Sequence, residues 1–378
     1  MDVFDAVVIG AGVAGLSTAY NLAKAGAKVL VLEKGYAGSG SSTRNASGFR
    51  VHFNSTENTR FMIEGKKHLK RLSSETGINS MMIEDGYLWI VHDEEMVRQF
   101  RRLSATWSVL GVGVKFLDDQ EMREFAPAVS MTGLVGVYGP QDGTFHHDAV
   151  TMGYQKALAE MGVSVREFSP ATEFITTSSR VVAVRSNSKE FRAENFIVAA
   201  GAFSASVCAL CGITLPVIPE RRELGVTEPV KHFLKPFVFD LGLQVYAVQG
   251  IRGEVRCSPT DIKQNGFIPY SSTYNWTMIL AQRLVRLLPR MRNMCLNRQW
   301  SGYYEVTPDY SHIMGSSNDW PEGIHVVTGF SGHGMMMGPL AGALIADHVL
   351  NHRLSELMRP YSPDRFKEGK TVDESMVF

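Results

Sequence analysis

Residues 4–16 read Phe4-Asp5-Ala6-Val7-Val8-Ile9-Gly10-Ala11-Gly12-Val13-Ala14-Gly15-Leu16, and the segment closes with Lys28-Val29-Leu30-Val31-Leu32-Glu33. Phe4 to Ile9 is a short apolar run halted by glycine, the pattern of a buried strand. Val13, Leu16, Ala19, Tyr20, Leu22 and Ala23 then recur at helical spacing until Gly26. Lys28–Leu32 is a second strand, so a strand–turn–helix–strand unit fits in about 30 residues, the span of a βαβ motif. The turn is G-x-G-x-x-G. Gly10 permits the tight turn, Gly12 admits a diphosphate to the backbone, and Gly15 lets the helix pack on the strand. With Val13 and Ala14, it opens a helix whose first N–H groups and positive end favour that diphosphate. Glu33 stands where a carboxylate accepts ribose hydroxyls and disfavours a 2′-phosphate. The alternative is a glycine-rich turn without a ligand. The fingerprint alone does not separate NAD from FAD.

The chain has 378 residues, enough for two domains. It carries 38 basic and 38 acidic side chains, so no broad positive field exists to attract nucleic acid or an anionic membrane surface. Cys208 and Cys211 form C-x-x-C, but Cys257 and Cys295 do not repeat the spacing. Buried reduced thiols are therefore expected, and no metal site. Residues 4–32 are apolar, yet Asp2 and Asp5 occupy the place of a basic leader region, and glycines with Lys24 interrupt any span. A soluble, cytoplasmic chain is the expectation.

Further along, residues 35–48 form a loop of small residues, either mobile surface or a cover for a ligand. Helices are predicted at 55–75, 94–110, 149–161, 279–288 and 340–350. Strands are predicted at 163–165, 181–184, 196–199 and 325–327, with antiparallel pairing across 224–258. Gly329–Gly338 reads as a glycine- and methionine-rich loop, and the segment after Pro360 as a frayed polar tail. The fold class is α/β: a Rossmann-like dinucleotide-binding domain from 1–80, 146–215 and 305–360. An α+β domain on an antiparallel sheet, from 81–145 and 216–304, is inserted in it, and 361–378 is the tail.

Three more segments bear on chemistry. Phe196-Ile197-Val198-Ala199-Ala200-Gly201 is a strand entering a small-residue turn. Gly329-Phe330-Ser331-Gly332-His333-Gly334-Met335-Met336 lets backbone approach a planar ring. The alternatives there are a core contact for the methionines and a local hydrogen bond for His333. Tyr303-Tyr304-Glu305-Val306-Thr307-Pro308-Asp309 places two tyrosines before a turn.

Together these segments resemble the D-amino-acid oxidase superfamily of FAD enzymes from Phe4 to about Leu350, and within it the β subunits of heteromeric sarcosine oxidases and dye-linked proline dehydrogenases. The resemblance implies a glutathione-reductase-type FAD domain. It assigns FAD contacts to Gly10, Gly12, Val13, Ala14, Gly15, Glu33, Lys34, Ser41, Ser42, Arg44, Asn45 and Ala46. It extends them to Ala171, Ala200, Gly201, Gly302, Gly329, Ser331, Gly332, His333, Gly334, Met335 and Met336. Arg50 matches an arginine that clamps the substrate carboxylate, against the alternative of a surface ion pair. Tyr304, Tyr246 and His52 are implied to shape the pocket.

Some positions depart from the pattern. Gly302 stands where monomeric sarcosine oxidases carry the cysteine that holds FAD, which implies noncovalent FAD. Tyr304 replaces a carboxylate-binding arginine of glycine oxidases, and Met336 a lysine of sarcosine oxidases, which implies a dehydrogenase. The expected activity is oxidation of an amino acid or of a secondary or N-methyl amine, proline- or sarcosine-like, by hydride transfer to flavin. Its electron acceptor is unknown. The alternatives are an FAD-holding subunit of a heteromeric dehydrogenase with a partner subunit, and an FAD oxidoreductase of a hydroxy acid or glycerol phosphate.

Overall fold

The strand Val3–Ile9 lies between Val29–Leu32 and Lys189–Val198 and runs parallel to both. The computed structural model describes residues 3–130 and 132–377; Met1, Asp2, Met131 and Phe378 lie outside the described residues. The sheet order is Ile313–Gly315, Ile324–Thr328, Lys189–Val198, Val3–Ile9, Val29–Leu32, Ser164–Arg166. Only the Ile313–Gly315 edge is antiparallel along that path. Ala6 and Val8 face one core, while Phe4, Val7 and Ile9 face another on the opposite side. Burial on both faces is why this strand reads as a continuous apolar run.

The second sheet runs Gln264–Asn265, Ile218–Thr227, Val255–Pro259, Val245–Gln249, Phe237–Asp240, Tyr87–Val91, Val135–Gly139, Lys115–Leu117. Every pairing is antiparallel except Tyr87–Val91 with Phe237–Asp240, which is parallel. The exception falls where two chain segments remote in sequence meet, so no hairpin dictates direction. The long strand Leu296–Val306 pairs with Ile218–Thr227 in a register that sets Gly302 opposite Arg222 and Tyr304 opposite Glu220. It thereby carries Tyr303, Tyr304 and Glu305 from the second sheet to the mouth of the first.

Four sequence expectations are corrected. The helix expected from residue 340 starts at Gly334 and runs to Asn351, taking in the second half of the glycine–methionine run. Tertiary contact overrides local propensity there. A β-carbon on Gly338 would stand 2.9 Å from Val13 Cγ1, and one on Gly342 2.6 Å from Ser17 Cβ, so bare backbone packs on the helix Val13–Lys24. Ser17 Oγ also donates to the Pro339 carbonyl at 2.7 Å. The helix expected at 279–288 likewise begins earlier, spanning Tyr274–Leu287.

The segment after Pro360 is not frayed over its described residues. Tyr361, Arg365, Val372, Glu374 and Met376 are buried, and Arg365 grips Asp309 with two bonds of 2.7 and 2.9 Å. Its polar residues look solvated in sequence because their partners lie more than 50 positions away. The cysteines are free, as expected, but Cys295 is exposed rather than buried. Among the described residues no group of three or more His, Cys, Asp or Glu is placed to hold a metal, and no helix is long and apolar enough to cross a membrane.

Gly342→Ala should test the helix contact. The added methyl is expected to cost about 1–3 kcal/mol, read as a lower urea midpoint with unchanged slope.

Candidate active site and cofactor cleft

A cavity of about 510 Å³ runs from the glycine turn to the aromatic floor of the second sheet. At its first end Gly10 has φ +109, and a β-carbon there would sit 2.4 Å from the Ala199 carbonyl oxygen. Gly15 does not reach the cavity. A β-carbon on it would meet the Gly10 oxygen at 2.0 Å, so it seats the helix on the turn. Glu33 accepts from Ala11 N–H and Gly35 N–H, each at 2.8 Å, one on each carboxylate oxygen. It braces the turn and still faces the cavity, where each oxygen keeps accepting capacity for a hydroxyl.

The small-residue loop is ordered around this cavity. Ser42 Oγ accepts from Val13 N–H at 2.9 Å, and Ser41 Oγ donates to the Tyr303 carbonyl at 2.5 Å. Asn45 spans the carbonyls of Ser41 and Ser42 at 3.1 and 2.9 Å. Arg44 lies 4.5 Å over the Tyr270 ring, and Lys34 over the Phe203 ring. Gly12, Val13, Ala14, Lys34, Ala46, Ala171, Ala200, Gly201 and Gly302 also line the cavity. A β-carbon on Gly302 would stand 3.2 Å from Arg44 Cβ, and no sulfur is there to form a bond.

Gly332, His333, Gly334, Met335 and Met336 complete this wall as the start of the helix Gly334–Asn351, whose first-turn N–H groups and positive end face the cleft. Gly329 and Ser331 lie one layer behind: Ser331 Oγ accepts from Thr307 N–H at 3.2 Å, and neither residue touches the cavity. The glycine turn, an acid at the second strand's end, Arg44 with Lys34, and this helix start fit an extended dinucleotide ending in a flat ring.

Arg50 is 3% exposed and lines the cavity, so a surface ion pair is excluded. Its Nη2 lies 2.9 Å from His333 Nε2 and donates to the Met376 carbonyl, and the guanidinium sits 4.6 Å over Phe53. Burial, then the neighbouring Arg50 charge, pushes His333 well below the usual imidazole range, so it is neutral and its Nε2 accepts from Arg50. His52 is not part of the cavity wall. Its Nδ1 pairs with Asp142 at 2.7 Å and its Nε2 with the Gly113 carbonyl at 3.0 Å, between Trp89 and Trp107. Asp142 also accepts from Val51 N–H at 2.7 Å, so the pair fixes the backbone beside Arg50.

Tyr246 and Tyr304 both face the cavity, and burial pushes both phenols up, keeping them protonated donors. The sequence reading did not single out Tyr87, Phe237 and Phe239, which line the floor, nor Arg222 and Glu305. A strand buried on both faces gives no sign of which side meets a ligand. Glu305 accepts from Thr328 Oγ1 at 3.1 Å and Phe330 N–H at 3.3 Å, and burial pushes it up to about 7.

The C-terminal segment closes the back of Arg50. Glu374 accepts from Ser55 Oγ and Asn58 Nδ2, both at 3.2 Å, and from Met376 N–H at 2.9 Å. Its carboxylate thus tethers the segment to the positive end of the helix Thr56–Thr76.

Such a cleft belongs to a nucleotide-dependent oxidoreductase with a separate substrate floor, and the comparisons with known proteins say which. The profile of the DAO family, described as FAD dependent oxidoreductase, matches residues 5–348, and the chain belongs to that family. FAD is accordingly its cofactor, and the two sheets are a Rossmann-like FAD domain and an inserted substrate domain. The chain is 27% identical to the sarcosine oxidase subunit beta of Rhodobacter capsulatus, over 99% of this chain and 91% of that one. It is 26% identical to the glycine oxidase of Geobacillus kaustophilus, over 96% of this chain and 97% of that one. The L-proline dehydrogenase structure from P. horikoshii superposes with a TM-score of 0.91 at 27% identity, covering 97% of this chain and 98% of that one.

Two outcomes are expected. Glu374→Ala should release the C-terminal segment, speeding proteolysis within residues 371–377 and lowering stability by about 1–3 kcal/mol. Glu305, raised from 4.5 to about 7, holds a proton in the folded chain that the unfolded chain has lost. Stability should therefore fall as pH rises from about 4.5 to 7 and level off above, and Glu305→Gln should remove that fall, up to about 3 kcal/mol in urea titrations of the apoprotein.

Proposed function

We propose that this chain oxidises an amino acid or a secondary amine at the carbon that joins nitrogen. The observation that carries the reading is Arg50, a cation buried in the wall beside the helix start at Gly334. A planar guanidinium at that depth suits a substrate carboxylate, with which it forms strong charge-assisted bonds. His333 and Met376 engage Nη2 and fix the plane of the fork. The amine binds as the free base, with the Tyr304 and Tyr246 hydroxyls donating to its lone pair or to the carboxylate. FAD, when bound, would supply the acceptor for the hydride that leaves the carbon. Nitrogen loses its proton to solvent, leaving an imine that hydrolyses, or stays cyclic if the substrate is proline. Neutral His333 holds Arg50 and needs no proton of its own to do so. Orientation and exclusion of water are what these side chains supply.

FAD contacts are assigned to the cavity-lining glycines and to Glu33, Lys34, Ser41, Ser42, Arg44 and Asn45, with the cofactor held noncovalently because Gly302 offers no thiol. Met336 in place of a basic side chain beside the ring supports a dehydrogenase. The FAD domain is assigned to 1–80, 146–215 and 305–360, the substrate domain to 81–145 and 216–304, and the compartment to the cytoplasm. The subunit-beta names of relatives support a second reading, in which this chain works beside a partner subunit.

Under anaerobic conditions, proline, sarcosine, glycine or a D-amino acid should bleach the flavin spectrum, and bleaching by none of them would sink the reading. Arg50→Met should lower the rate constant per substrate concentration by about 100-fold or more while FAD stays bound. Acid precipitation should release all yellow colour to the supernatant; flavin remaining in the pellet would show a covalent link.

A further inference from the structure

Besides Arg44 and Arg50, the cavity holds a third arginine. Arg222 lies on Ile218–Thr227, lines the same cavity as Arg50, and places its guanidinium 4.8 Å from the Tyr304 ring. The edge of that ring packs on Gly332, where a β-carbon would stand 2.5 Å from Tyr304 Cε2. Tyr304 therefore forms a partition with the flavin-side helix start at its edge and Arg222 against its face.

The donors of Arg222 are only partly used. Nε donates to Glu220 at 2.8 Å and Nη1 to the Thr260 carbonyl. Nη2 makes no hydrogen bond among the described residues. Glu220 is also shared, taking Lys263 at 3.2 Å on its other oxygen, so one carboxylate serves two cations. The adjacent Arg221 shows what a purely structural arginine looks like here. It is saturated by Glu223 at 3.1 Å, Gln264 at 2.8 Å and two carbonyls, and it does not face the cavity. Arg222 keeps Nη2, and with it the Nη2 edge of the fork, for a carboxylate oxygen, with its side chain only 11% exposed.

We propose that the substrate carries a second acidic group, its α-carboxylate at Arg50 and its distal carboxylate at Arg222. The substrate class is then an aminodicarboxylic acid or an N-carboxyalkyl amino acid. This rests on the amine-oxidation reading above and narrows it. A monoacid leaves the Arg222 edge to water, whereas a diacid replaces that water with a charge-assisted pair in a nearly closed site.

The test is anaerobic flavin reduction by the FAD-loaded chain with matched pairs: glycine against aspartate and glutamate, sarcosine against iminodiacetate and N-(2-carboxyethyl)glycine. At least one diacid should reduce the flavin about 10-fold or more efficiently than its monoacid partner. Arg222→Gln should cut that preference by about 10- to 100-fold while monoacid turnover stays within about 3-fold, and Arg222→Lys should restore part of it. Glutarate, which cannot be oxidised, should perturb the wild-type flavin spectrum at lower concentration than acetate, a readout that needs no variant. Monoacids that reduce the flavin as well as every diacid, with glutarate no tighter than acetate, would overturn the Arg222 assignment and leave amine oxidation standing. Reduction by no amine at all would overturn both.

Discussion

Backbone meets backbone at the centre of this protein with no room for a β-carbon. The Val13–Lys24 helix touches the glycine turn at Gly15, the turn touches Ala199 at Gly10, and the Gly334–Asn351 helix touches Val13–Lys24 at Gly338 and Gly342. These contacts bring two helix starts to one cleft, so partial positive charge accumulates where a dinucleotide's phosphates and ring would lie. A methyl group at any of them would push a helix start away from the ligand before it touched the ligand.

Charge is then distributed around that cleft by burial. Near the glycine turn, Glu33 is satisfied by two backbone amides and retains capacity for a ligand. At the floor, Arg50 and Arg222 stand among phenols that burial keeps protonated. Glu220 meets the Arg222 charge at 2.8 Å, and an anion that binds the folded cleft but not the unfolded chain adds to stability through occupancy of the site. His333 contributes by being neutral, since a charged imidazole 2.9 Å from Arg50 would repel it.

The substrate floor depends on parts of the chain that share no local signal. Arg50 follows the cofactor loop, its back is covered by Met376, and its backbone is steadied by Asp142 through Val51. Glu374 and Asp309 hold the covering segment through a helix start and through Arg365. Each of these partners is buried and polar, so each looks like surface in sequence and behaves as core in the fold.

The sequence by itself determined the βαβ unit, the dinucleotide turn and the α/β class, because strand and helix periods and glycine spacing are local properties of the chain. It also pointed to Arg50, Tyr304 and Tyr246 through resemblance, and all three face one cavity. Only the tertiary structure decided where the last long helix begins, because a helix contact at Gly338 and Gly342 outweighs the propensity of glycine. It set His52 against Asp142 between two tryptophans rather than in the cavity. It also brought in Arg222 and Glu305, charged residues on partly exposed strands, and Tyr87, whose strand is buried on both faces and so carries no alternation to read. Which face of such a strand meets a ligand is fixed by what packs on the other, and that partner lies far along the chain.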